Sequence, residues 1–166
     1  VLYVSWLLGF MLKIYFFAKQ AGAGFDAGFC LLFFILTTKC SDIGAYSLGS
    51  LIGRHKMIPS VSPAKTWEGF VGAILLSTAA AMVMAHYWGA TKLGGMPLVH
   101  AAALGPVLAI GAVLGDLVES VFKRDSGVKD SGSFLPGIGG ILDLLDSLLF
   151  NAPLMFLYLR LVLFND

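Results

Sequence analysis

An all-α bundle, a polytopic integral membrane protein with about five transmembrane helices, is the fold class this sequence predicts, and three observations predict it. Mean hydropathy is +0.86; 58% of the 166 residues are hydrophobic and only 13% are charged, a balance found where the bilayer is the solvent. The apolar residues run on without interruption over helix-spanning lengths of about 20 residues, where the strands of a membrane barrel would alternate. The few charges gather in two connections between these runs. No strands are expected, because an open sheet leaves backbone groups unpaired in lipid.

The predicted spans are residues 1–18, 27–52, 67–87, 98–122 and 141–164. The first starts at Val1 without a basic n-region or a small-residue cleavage site, so no signal peptide is assigned. The chain is expected to be a single transmembrane domain, a fragment or C-terminal portion of a longer protein. Lys13 and Arg160 fall inside apolar runs and must snorkel or find partners. Lys39 and Asp42, three apart in the second span, suit a local ion pair, with Asp42 and Tyr46 on one face.

The third span is preceded by V-S-P-A-K-T-W-E-G, residues 61–69, which places Ser62 as N-cap and Pro63 in the first helical turn. Its amides, dipole and Lys65 would suit an anion. Equally, Lys65 and Glu68 could sit at the headgroup boundary beside Trp67 as anchor. Gly49 and Gly53, and Gly111 and Gly115, are four apart, a spacing that lets helices approach closely.

Orientation follows from the basic residues. Arg54, Lys56 and Lys65 in one connection and Lys123, Arg124 and Lys129 in the other outnumber Lys19 and Lys92 opposite, so the two basic connections are expected on the cytoplasmic side of the cell's inner membrane. A net charge of +1 with no basic stripe excludes nucleic acid as a partner. Cys30 and Cys40 lack metal-ligand or disulfide spacing and are expected to be inert thiols. His55, His86 and His100 show no ligand spacing. Gly22, Gly24 and Ala27 fit G-x-G-x-x-A, but no strand precedes them, so a dinucleotide site is rejected.

The chemistry concentrates in residues 116–146. Asp116, Glu119, Ser120 and Lys123 recur at i, i+3, i+4 and i+7, one polar stripe toward the cytoplasmic end of the fourth span. Asp143 and Asp146 share a face at the start of the fifth. Facing one another, these acids could hold Mg²⁺, which takes one or two carboxylates with phosphates and waters; the alternative is a set of ion pairs with Lys123, Arg124 and Lys129. Between them, Gly132, Pro136, Gly137, Gly139 and Gly140 break any helix and expose amides suited to phosphate, flanked by bases.

These residues carry a family resemblance. S-x-x-K-R-x4-K-D-x-G-x2-L-P-G-x-G-G-I-x-D-x-x-D, residues 120–146, resembles the signature of the phosphatidate cytidylyltransferases, and S-P-A-K-T-W-E-G and the D-x-x-A-Y of residues 42–46 resemble two further blocks in the expected order. The resemblance implies a Mg²⁺-dependent enzyme, with a second metal ion conceivable, that joins CTP to phosphatidic acid at the bilayer, giving CDP-diacylglycerol and pyrophosphate, and a homodimer. It assigns Asp116, Asp143 and Asp146 to metal, and Lys123, Arg124 and Lys129 to phosphates. Ser62, Pro63, Lys65, Thr66 and Glu68 would line the substrate site, with Asp42, Ser120, Asp130, Gly137, Gly139 and Gly140 as further members. Ile138 and Leu144 stand where the family usually has His and Arg. A CTP-using enzyme acting on another lipid phosphate or a polyprenol, and a non-catalytic membrane homologue, are the alternative readings.

Overall fold

The computed structural model describes residues 2–22, 24–59, 61–125 and 141–163; the side chains of residues 2–4, 6–8, 123, 141–146 and 163 are outside that description. Five helices carry the architecture: α1 (Leu2–Gln20), α2 (Ala27–Ile52), α3 (Trp67–Lys92), α4 (Leu98–Asp125) and α5 (Ile141–Tyr158), the last continued by a π-helical turn, Leu159–Leu163. The predicted all-α bundle is what forms. Among the described residues three helices, α2, α3 and the Leu98–Phe122 part of α4, are long and apolar enough to cross a membrane. Large apolar side chains such as Leu36, Leu51, Leu75, Val83 and Val107 face outward, as the lipid-facing side of an integral membrane protein requires.

Helix α2 lies at the centre and touches each of the other four. Its most extensive partner is α3, and glycine makes that approach possible. A Cβ on Gly44 would strike the carbonyl of Gly72, and a Cβ on Gly72 would strike that of Gly44. Close backbone contact of this kind drives helix association in lipid, where burying apolar surface supplies little. Gly111 admits the Asn151 side chain of α5 in the same way. Asn151 is fully buried, and its amide donates to the Leu108 carbonyl at 2.8 Å and to Thr38 Oγ1 at 3.3 Å, pinning α5 to α4 and α2.

At one end the α1–α2 and α3–α4 connections join. Phe25 and Leu93 form a backbone bridge, Gly94 N donates to Gly24 O at 2.8 Å, and Asp26 caps α2 by accepting from Phe29 N at 3.0 Å. Beneath them lies a core that includes Ile14, Phe33, Phe34, Leu93, Leu108 and Met155. Lys13 finds its partner in the Phe10 ring, 4.4 Å away, while Arg160 stays exposed. Cys30 is buried and Cys40 half-buried, both free.

The other end corrects the sequence reading. Residues Lys56–Ile58 (β1) and Ser62–Thr66 (β2) pair as an antiparallel hairpin, so Ser62 and Pro63 are strand residues, not the cap and first turn of α3. The physical reason lies in Pro63: it forces the residue before it toward extended backbone, and its missing N–H is tolerated in a ribbon made only of edges. The cap is Thr66, whose hydroxyl accepts from Gly69 N at 3.1 Å.

Candidate active site

The hairpin, α2, the start of α3 and α4 together line an open cavity of about 400 Å³. Its polar lining comes from three segments that are distant in sequence: Asp42 and Tyr46 on α2, Lys65 and Thr66 on β2, and Asp116 and Glu119 on α4. Lys65 is the residue that joins them. Its ammonium lies 2.8 Å from Asp116 Oδ2 and donates to the Val113 carbonyl at 3.0 Å. The Lys65 side chain is 15% exposed and that of Asp116 is 47% exposed, so the cation is held inside the wall while the carboxylate reaches the opening.

Strand geometry explains how Lys65 gets there. The strand passes from the exposed Pro63 and Ala64 to the half-buried Lys65 and the buried Thr66 as it enters α3, which carries its last residues into the cavity wall. Gly49, Gly53 and Gly69 let the hairpin and α3 seat closely, since a Cβ on any of them would lie within 3.3 Å of Thr66 Oγ1. Outside the cavity, His55 Nδ1 approaches Glu68 Oε1 at 2.6 Å, and the His55 amide donates to the same carboxylate at 3.2 Å and 3.3 Å. Trp67 N donates to His55 O at 3.0 Å. The hairpin is thereby tied at its base to the first turn of α3.

On α2, Lys39 and Asp42 form the expected pair at 2.9 Å. A second, apolar cavity of about 240 Å³ lies next to the hairpin, lined by Ile58 and Val61 and by Leu114, Leu117, Val118, Val121 and Phe122 of α4.

The cytidylyltransferase family matches residues 1–162 of this chain. The chain belongs to that family. Among individual cytidylyltransferases, it is 40% identical over 134 residues to the phosphatidate cytidylyltransferase of Mycobacterium bovis, covering 81% of this chain and 41% of the relative. It is 40% identical over 125 residues to that of Haemophilus influenzae, covering 75% and 43%, and 45% identical over 125 residues to that of Staphylococcus saprophyticus, covering 75% and 46%. The chain thus spans less than half the length of these curated relatives.

Of the residues singled out in the sequence, this cytidylyltransferase fold brings Asp42, Lys65, Thr66 and Asp116 to one cavity. Thr66 does so with its hydroxyl engaged as the α3 cap. Ser62, Pro63, Glu68 and Ser120 are not among the cavity-lining residues; Glu68 turns instead to His55. Arg124 is an exposed residue of the last turn of α4. Lys129, Asp130, Gly137, Gly139 and Gly140 lie outside the described residues, as do the side chains of Lys123, Asp143 and Asp146. The structure adds Ser41, Ala45 and Met57 to the wall. Ser41 and Ala45 flank Asp42 and Tyr46 on α2, so a helical wheel drawn from Asp42 would have found them.

Among the described residues no three His, Cys, Asp or Glu side chains form a metal-binding group. Asp116 and Glu119, one turn apart on the cavity wall, do fit a cation that needs only one or two carboxylates beside phosphates and waters.

Proposed function

We propose that this chain forms the site-bearing part of a phosphatidate cytidylyltransferase, which converts CTP and phosphatidic acid to CDP-diacylglycerol and pyrophosphate in phospholipid biosynthesis. The observation that carries the reading is the Lys65–Asp116 pair at 2.8 Å: a lysine of one family-like block meets the polar stripe of α4, far away in sequence, in one cavity whose described lining holds a cation and carboxylates. Phosphoryl-type transfer needs that equipment, because positioning and charge neutralisation supply most of the catalysis.

In the reaction a phosphate oxygen of phosphatidic acid bonds to the α-phosphorus of CTP as the bond to the β-phosphate breaks, and pyrophosphate leaves. Lys65, oriented by Asp116 and the Val113 carbonyl, neutralises phosphate charge inside the wall. Asp116, with Asp143 and Asp146, would hold Mg²⁺, which when bound offsets charge on the phosphates. Lys123, Arg124 and Lys129 would bind the remaining phosphate oxygens, and the glycine-rich residues 137–140 would offer backbone amides.

The division of the two cavities supports an amphiphilic substrate. They share the hairpin and α4, and one is lined by charged groups while the other is apolar, as the headgroup and acyl chains of a phospholipid require. We place the site on the cytoplasmic side of the inner membrane, from the basic residues of the hairpin and of the end of α4, and the enzyme as a homodimer.

The test is product analysis with the full-length protein reconstituted in membranes with α-labelled CTP, phosphatidic acid and Mg²⁺. CDP-diacylglycerol and pyrophosphate should form in equal amounts, and Asp143→Asn should abolish both. Release of CDP with a phosphorylated lipid would overturn the reading in favour of a CTP-dependent kinase.

A further inference from the structure

Three hydrogen bonds behind the cavity wall close a ring. Lys39 Nζ donates to Asp42 Oδ2 at 2.9 Å and to Ser147 Oγ at 3.0 Å, and Ser147 Oγ in turn donates to Asp42 Oδ2 at 3.0 Å. The donor and acceptor roles are compatible: the ammonium has only protons to give, the carboxylate only accepts, and the hydroxyl does both. Ser147 is 1% exposed, and the Lys39 and Asp42 side chains are 26% and 40% exposed.

Asp42 is the member that reaches the cavity. Both of its contacts fall on Oδ2, and Oδ1 has no hydrogen-bond partner among the described residues. An unheld carboxylate would rotate about its last torsion, which is broad for such groups. Two donors on one oxygen fix the plane and leave the other oxygen as the acceptor available within the site.

From this geometry we infer that Lys39 and Ser147 are positioning residues, which hold Asp42 so that Oδ1 is presented to a hydrogen-bond donor of the nucleotide bound in the cavity. The ring also connects two helices. Ser147 follows Asp146 directly and stands four residues after Asp143, so its bond to α2 registers the start of α5 against the cavity wall. Neither Lys39 nor Ser147 lines the cavity, so each acts through Asp42. Networks of this kind couple their members more strongly than single deletions suggest.

This inference rests on the cytidylyltransferase reading, and a double-mutant cycle separates the two. Ser147→Ala, Asp42→Asn and the double variant of the full-length protein would be compared with wild type for kcat, for KM with CTP and with phosphatidic acid, and for thermal stability; Lys39→Met would be run in parallel. Ser147→Ala should lower kcat/KM for CTP about tenfold, as loss of a supporting contact commonly does, with KM for phosphatidic acid unchanged. In the Asp42→Asn background the same substitution should cost less than about twofold, because the group it serves is already lost. Independent, multiplying losses would overturn the inference, as would a Ser147→Ala enzyme at wild-type rate or losses that track the folded fraction. A silent wild type would overturn the enzymatic reading and the inference with it.

Discussion

The two ends of the bundle are built on different principles. At the end where the α1–α2 and α3–α4 connections meet, the contacts are mainly aromatic and backbone: Phe29 packs on Trp88 at 5.7 Å, Phe17 on Phe156 at 5.7 Å, and Gly94 N bonds Gly24 O, with one loose ion pair, Lys92 and Asp26 at 3.8 Å. At the hairpin end the contacts are charged, with Lys65 on Asp116, Lys39 on Asp42 and Ser147, and His55 on Glu68. Polar groups near lipid are costly and are retained where they do chemistry. The apolar end therefore maintains the fold, and the polar end uses it to hold paired charges at the cavity, ready for ligand.

Substitutions at either end should separate activity from stability. The largest effect is expected at the joining cation: Lys65→Met should lower cytidylyl transfer by at least about a hundredfold, the scale of losing one preorganised electrostatic group, with little change in thermal unfolding. Turnover and unfolding measured on the same preparation check it. Next comes the waist between the ends, where Gly44→Val drives a side chain into the Gly72 carbonyl. Overpacking of this kind costs about 1–3 kcal/mol, read as a lower unfolding temperature in detergent with activity per folded molecule falling only as α2 and α3 move apart.

Gly94→Ala probes the apolar end. Gly94 has φ +63° and a Cβ there would strike the Phe25 ring, so a cost of about 1–3 kcal/mol is expected from backbone strain, with turnover per folded molecule unchanged. The smallest effect belongs to Glu68→Gln, which weakens the grip on His55 without touching the cavity. An exposed pair of this type contributes little, and turnover should stay within about fivefold of wild type, the change appearing in KM for CTP.

The sequence showed the spans far more clearly than the site. Continuous apolar runs placed α2 at residues 27–52 and the start of α4 at residue 98, matching the helices found, because hydropathy acts locally along the chain. The polar stripe of α4 was visible for the same reason, and Asp116 and Glu119 do share the cavity. The hairpin was not visible: β1 has three residues, too few for any period, and Pro63 suits a helix start as well as an edge strand. Equally hidden were Ser147 and His55. Ser147 acquires its role only from α2, 105 residues away in sequence, and His55 only from the first turn of α3. Long-range pairing of single polar groups leaves no periodic trace, so packing alone reveals it.

The central claim is that the polar end carries out cytidylyl transfer and the apolar end does not take part in it. The most direct measurement compares wild type, Asp116→Asn and Gly94→Ala in the full-length reconstituted protein, following label from CTP into lipid together with pyrophosphate release. The account predicts matched lipid label and pyrophosphate in wild type and, per folded molecule, in Gly94→Ala, with both lost in Asp116→Asn. Wild-type turnover in Asp116→Asn, or lipid label without pyrophosphate, would contradict it.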